Sequence, residues 1–383
     1  MKKWLIPVIA LAGGLSSCIY PFDAELDSSV ERTLVVDGNI LIGGETVITL
    51  NYLTGLDALQ ADIPAGIGYV EDDEGCQYPV TGGRSQVLRM DTSEAPAGRQ
   101  YRAVIQLDGE TYTSPWLIPE TPPEITGVSF SADDSNVYVN VSLTPTTGAT
   151  GYIGLDYEET WEFHSDFTPR YTVDTRTWTV KELLGSYPYY WCFRETFSAS
   201  TTLVDHRNLG GGEVRNFRLL SFPRTDNRNH KLYSILVKAC TLSEEAFEYN
   251  HQTEENSSTG NTLFSPEPGI LTGNLSCEST PGKEVLGMVR IGGQSTRRAF
   301  LQGTYLIASR PSEASFLIPK PSEYRRLYND RDFRPIKEIT VDGETGVGWG
   351  PHRCINCVVA GGHQRTPDFW PSSTDEEDEN DRP

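Results

Sequence analysis

Val137-Tyr-Val-Asn-Val-Ser-Leu143 is the stretch that decides the fold class. Val137, Val139, Val141 and Leu143 alternate with Tyr138, Asn140 and Ser142. This period of two sets one side of a β-strand against a core and leaves the other toward water. Upstream, Leu34–Ile40, Thr46–Leu53, Ala65–Glu71, Gln86–Met90 and Tyr101–Leu107 are short runs rich in β-branched, aromatic and apolar residues. Turn residues part them at Gly43-Gly44, Asp72 to Gly75, Gly82-Gly83 and Asp108-Gly109. Asp-Gly is a strong hairpin signal because it tolerates positive φ at both turn positions. Strands at intervals of about ten residues indicate a β-sandwich.

Pro119, Pro122 and Pro123 form a stiff, extended joint that cannot continue a sheet ladder. The first sandwich, immunoglobulin-like, is therefore expected over 31–119 and a larger β-sandwich domain over 124–310. Tyr152–Tyr157, Tyr171–Val180 and Lys231–Cys240 continue the strand pattern, and Val285–Ile291 and Arg298–Ile307 read as returning strands. Thr241-Leu-Ser-Glu244 has capping-box spacing and opens a stretch without Gly or Pro, which predicts a short inserted helix near 242–255. Residues 311–373 are rich in Pro, Gly and charge and read as a coil-rich, cysteine-containing layer. Thr374 to Pro383 reads as an acidic disordered tail. The expected fold class is mainly all-β.

Residues 1–17 read as a signal peptide. Lys2 and Lys3 precede a short apolar run, Trp4 to Ala12, too short to span a bilayer. Leu15-Ser-Ser-Cys18 has the form of a bacterial lipobox. Cys18 would then carry diacylglycerol on its thiol and a further acyl chain on its amine. Each buried CH₂ contributes about 0.8 kcal/mol, so several chains anchor firmly where one would not. Residues 18–30 read as a tether, with Asp23, Glu25 and Asp27 close behind the lipid cysteine. No later run approaches the length of a membrane-spanning helix.

The formal net charge is −21. Such a chain is repelled by nucleic-acid phosphates, and the membrane is expected to be met through the lipid alone. Six cysteines follow Cys18: Cys76, Cys192, Cys240, Cys277, Cys354 and Cys357. An even number in an exported chain suits disulfides, with the connectivity left open.

Several stretches together resemble a known family. They are Cys18-Ile-Tyr-Pro-Phe22, Leu34-Val-Val-Asp-Gly-Asn-Ile40, Leu242-Ser-Glu-Glu-Ala-Phe247, Gly273-Asn274, Glu284-Val-Leu-Gly287, and the ending Cys354-x-x-Cys357 with Gly361-Gly362 and Pro367-Asp-Phe-Trp370. In order and spacing they resemble a Bacteroidota lipoprotein family known as domain of unknown function 4249, over nearly the whole chain. The resemblance implies an outer-membrane lipoprotein, on either leaflet, partnering a TonB-dependent receptor in nutrient uptake. It supplies no catalytic residue and no cofactor.

His352, Cys354, Cys357 and His363 could ligate zinc, but an oxidising compartment favours a disulfide, within the pair or to other cysteines. No βαβ context supports a redox Cys-x-x-Cys. There is no Gly-x-Ser-x-Gly and no His-Glu-x-x-His. His164 with Asp166 and Asp205 with His206 are neighbouring acid–imidazole pairs of the kind any β-rich surface carries by chance. Asp72-Asp73-x-Gly75 and Asp133-Asp134-x-Asn136 offer oxygens but no complete calcium loop. The reading is non-enzymatic, without metal or cofactor. Tyr187, Tyr189, Tyr190 and Trp191 crowd one segment, either as strand core or as an interface for a sugar or a protein. The functional expectation is an accessory subunit of an uptake complex, or else a surface lipoprotein that binds a glycan or peptide itself.

Overall fold

The computed structural model describes residues 33–53, 64–146, 151–209, 212–259, 271, 273–303, 316–341 and 343–371. The residues read as signal peptide (1–17) and tether (18–30), Cys18 among them, and the acidic tail 374–383 lie outside the described residues.

The chain is mostly β, in two sandwiches. Val137–Leu143 lies in the strand Asn136–Thr144, where Val137, Val139, Val141 and Leu143 are each fully buried. Removing such a side chain from water contributes about 1.5–3 kcal/mol, so four in a row fix which face turns inward.

In the first sandwich, one sheet pairs Leu34–Leu41 with Glu45–Tyr52 and the latter with Val87–Asp91. The other runs Glu110–Thr113, Tyr101–Leu107, Ile67–Asp72, Gln77–Pro79. In chain order this is the immunoglobulin-like arrangement, strands one, two and five against three, four, six and seven. Tyr101 opens the sixth strand, is fully buried, and donates its hydroxyl proton to the Pro96 carbonyl. That is a tyrosine corner, which ties the preceding loop to the core.

The first sandwich does not close within 31–119. Val285–Leu286 and Val289–Gly292 run parallel to Leu34–Leu41, and Ser276–Cys277 pairs with Glu110–Thr113. Each sheet thus gains an edge strand from residues expected in the second domain. Segments of two to four residues carry no strand periodicity of their own, so sequence reading assigned them by position. Gly287 parts the two parallel strands at φ +96°, and a Cβ there would lie 2.1 Å from the Val36 carbonyl oxygen. Asn274 completes the return: its amide donates to the Val289 carbonyl (2.8 Å) and accepts from the Val289 N–H (2.9 Å).

In the second sandwich, the sheet order is Trp191–Phe197, Tyr152–His164, Leu232–Leu242, Ser295–Gln302, with Thr202–Asp205 also on the long strand Tyr152–His164. The facing sheet is Val214–Pro223, Asn136–Thr144, Glu124–Ala132. Glu159 is buried in this core with Arg228 at 3.2 Å and the Tyr233 hydroxyl at 2.8 Å. Burial raises its pKa, against the pull of Arg228 and Tyr233.

Three further expectations need correction. The helix is Glu244–Thr259, and its cap is Ser243, whose Oγ accepts from the Ala246 N–H (3.1 Å). Thr241 instead spends its hydroxyl on the Thr121 carbonyl (2.7 Å), so the capping box does not form. Tyr171–Val180 is not one strand but a hairpin, Tyr171–Asp174 with Thr179–Glu182. The layer expected to be coil carries a helix, Tyr324–Asp330, and a hairpin, Phe333–Val341 with Glu344–Pro351. Gly346, Gly348 and Gly350 let Ile318, Ile339 and Phe316 lie on the second strand, at the cost of any apolar alternation there.

The tyrosine corner gives the first prediction. Tyr101→Phe leaves the Pro96 carbonyl without its donor and should cost about 1–3 kcal/mol in denaturant-measured stability. An unchanged unfolding midpoint would contradict the role given to this hydroxyl.

Candidate functional site

Two places concentrate groups of functional interest. The first is a cleft between the sandwiches. Its floor is the outer face of the first sandwich's returned edge. Ile40 and Val289 point into the core, so their neighbours Asn39 and Arg290, which are cross-strand partners, lie on the opposite face. One wall is Trp116 to Glu120, on the approach to the proline joint; the other is Cys240 to Ala246, where strand passes into helix. The cavity measures about 280 Å³.

The walls are fastened. Thr241 holds Thr121, the Ser295 hydroxyl donates to the Pro123 carbonyl (2.5 Å), and the Gly293 N–H donates to Glu120 (3.3 Å). The proline joint is therefore clamped on both sides. Trp116 and Ile118 are exposed at the mouth, with the Arg102 guanidinium 4.8 Å from the centre of the Trp116 ring. The Cys240 thiol, on the wall, is pushed up to about 11 by burial, which leaves it protonated and a poor nucleophile at neutral pH.

Three of the family-like stretches, carrying Asn39, Leu242 to Ala246 and Asn274, converge here. Sequence reasoning singled them out without placing them together. It missed Arg290, Glu120 and Trp116. Arg290 had a faint signal, as the polar residue between Val289 and Ile291; the other two had none.

The second place is the aromatic segment. Tyr187, Tyr190 and Trp191 are half-buried and Tyr189 is 41% exposed, so none belongs to the core. Leu184 beside them is 88% exposed. Tyr190 stacks on His164, His164 on His230, and Trp191 meets His164 edge-on. Lys231 sits over the Trp191 ring and pairs with Glu162 (3.2 Å). By contrast Trp161 and Phe163 are buried in the second core, and Phe193 is buried against Trp370.

The disulfide expectation holds for one pair of the six cysteines. Cys192 is bridged to Cys357, across 165 residues. The bridge ties the strand Trp191–Phe197 to the C-terminal layer, which Gly362 lets approach Cys192 and Phe163 closely. Trp370 closes the layer edge-on to Phe193 and Phe300. Cys76, Cys240 and Cys277 stand as thiols, so the disulfide expectation is corrected for these three. Cys277 and Cys76 belong to opposite edges of one sheet, at least three strand spacings or about 14 Å apart, beyond the reach of a bridge. Cys240 lies in the other sandwich. Cys354 is buried beside Ile336 and Ile355 and is not joined to Cys357.

The remaining candidates are structural. With Cys357 in the bridge, the His352–His363 stretch makes no metal centre, and no cluster fit for a metal occurs among the described residues. The Asp72 carboxylate accepts from the Glu74 and Cys76 N–H groups and from Arg99. Burial opposes its ionisation, but these partners hold its pKa below the usual value. Asp133, drawn down to about 2 by the Tyr138 hydroxyl and two N–H groups, closes a turn likewise. Asp205 pairs with Arg207, and His206 Nδ1 lies 2.7 Å from the Gly151 carbonyl oxygen. His164 is taken up by the aromatic stack and does not meet Asp166 as a catalytic pair.

Fold and site define a class: a mostly β protein of two fastened sandwiches, the first immunoglobulin-like, with a cleft of mixed polar and apolar lining between them. The chain belongs to the family described as domain of unknown function (DUF4249), whose sequence model matches residues 19–298. No curated protein matches it.

Two predictions follow from this geometry. Non-reducing peptide mapping should recover Cys192 linked to Cys357; a Cys354–Cys357 link would refute the connectivity. The second concerns His230, lowered to about 4 by burial and by the adjacent His164. The unfolded chain titrates this group near 6.5 and so takes up the proton first. Its contribution is complete above about pH 6.5 and is lost as pH falls toward 4. His230→Gln should flatten the pH dependence of stability in that window; a slope identical to wild type would exclude His230 as its source.

Proposed function

We propose that this protein is a lipid-anchored outer-membrane lipoprotein that acts as an accessory subunit of a TonB-dependent uptake complex. Cys18 is its anchor, and its role is binding, without catalysis. The observation that carries the docking part is the aromatic surface around Leu184, Tyr187, Tyr189, Tyr190 and Trp191. Large aromatic side chains held half-exposed by their neighbours are the usual energetic centre of a protein interface. A body of net charge −21 would otherwise stay apart from other acidic surfaces. The cleft favours a second reading, in which the protein takes up a ligand itself.

One experiment tests both anchor and docking. Wild-type protein should fractionate with the outer membrane and, after solubilisation, co-purify with a stoichiometric β-barrel receptor. Cys18→Ala should move it to the soluble fraction. The double substitution Leu184→Ala and Tyr189→Ala should keep the membrane association and lose the receptor. Membrane retention of Cys18→Ala would refute the anchor, and undiminished receptor recovery with the double variant would refute the docking surface.

A further inference from the structure

We propose that the cleft between the sandwiches binds a zwitterionic ligand of amino-acid to dipeptide size, its carboxylate on Arg290 and its ammonium on Glu120. The inference deepens the second reading and does not rest on the receptor-docking surface.

Arg290 and Glu120 both line the cavity and both are half-buried. Neither makes a side-chain hydrogen bond or an ion pair among the described residues, and they do not pair with each other. Most other half-buried charges in this protein are matched: Lys283 with Glu110, Arg99 with Asp72, Arg228 with Glu159. Glu245 lines the cavity as well but is exposed to water; the two half-buried, unmatched charges of opposite sign are a cost that a ligand carrying both complements would remove. Asn39 lies beside Arg290 in register, and its amide has no hydrogen-bond partner among the described residues, leaving it available to a ligand's carboxylate or peptide group.

The volume bounds the occupant. About 280 Å³ falls just below the range of about 300–1,000 Å³ typical of drug-sized ligands. That admits one amino acid or a short peptide and excludes an extended chain. Leu117, Leu242 and Met288 line the cavity as well and suit an apolar side chain. A neutral sugar would leave both charges unmatched. The clamped proline joint holds the two walls at a fixed spacing, so little ordering is left for binding to supply.

The test is calorimetric titration of the full-length protein in detergent with L-leucine and L-alanyl-L-leucine, each beside its N-acetyl and C-amide form. The uncapped compounds should bind, and either cap should weaken binding roughly tenfold or more. Arg290→Gln should abolish discrimination against the amide, and Glu120→Gln discrimination against the acetyl form. The capped ligands test the claim on the unaltered protein, whatever the variants do to folding. Binding weaker than about 1 mM for both uncapped compounds, or equal affinity for capped and uncapped forms, would overturn the proposal. The Leu184→Ala, Tyr189→Ala protein should still bind the dipeptide, so loss of the receptor and loss of the ligand are separate results.

Discussion

The rest of the structure depends on the parallel pairing of Val285–Leu286 and Val289–Gly292 with Leu34–Leu41. Parallel neighbours need a long crossover, and here it holds the remaining strands of the first sandwich and all of the second except Ser295–Gln302. The chain leaves the first sandwich at the prolines, builds most of the second, returns to finish the first, and then adds Ser295–Gln302 to the second. That return explains otherwise unrelated residues. Gly287 permits the approach to Val36; Asn274 replaces a missing strand partner; Asp37 accepts from the Met288 N–H (3.3 Å). It also places Arg290 opposite the proline joint and so makes the cleft.

The second sandwich is secured by other means. Its core holds a buried carboxylate, Glu159, whose desolvation is offset only in part by Arg228 and the Tyr233 hydroxyl, while Arg228 lies over the Trp161 and Phe222 rings. Such a network is tolerable only while every member is present, since removing one partner strands a charge. Outside it, the C-terminal layer packs through Trp370 and the bridge at Cys192. The aromatic surface begins one residue from that bridge, at Trp191, and the Cys357 N–H donates to the Tyr189 carbonyl (3.0 Å). The surface is thus held by the same bridge that holds the layer.

What could be read from the sequence follows from where the signals are physical and local. The alternation in Val137–Leu143 reports a face, and the structure obeys it. The Asp108-Gly109 turn joins Tyr101–Leu107 to Glu110–Thr113 as expected, with Asp108 at φ +53°. Other features were not legible because their cause is distant. Ser276–Cys277 is a strand only because Tyr112 and Thr113 lie beside it. The glycines of Glu344–Pro351 read as coil because the side chains covering them come from elsewhere. The capping-box spacing failed because Thr121 competed for the Thr241 hydroxyl. Of the cleft, the sequence displayed Asn39, Asn274 and Leu242 to Ala246 as separate stretches; nothing local tied them to Glu120 or Arg290.

The span of the Cys192–Cys357 bridge has a consequence for the order in which the molecule is made. Chains emerge from their amino end, so Cys192 is out long before its mate. Throughout that interval it is one thiol among several, with Cys76 already behind it and Cys240 and Cys277 arriving next. Correct oxidation must therefore wait until nearly all of the chain has been delivered. Burial of Cys277 as its strand assembles withdraws one of the competitors and makes packing, more than proximity along the chain, the arbiter of which sulfurs meet.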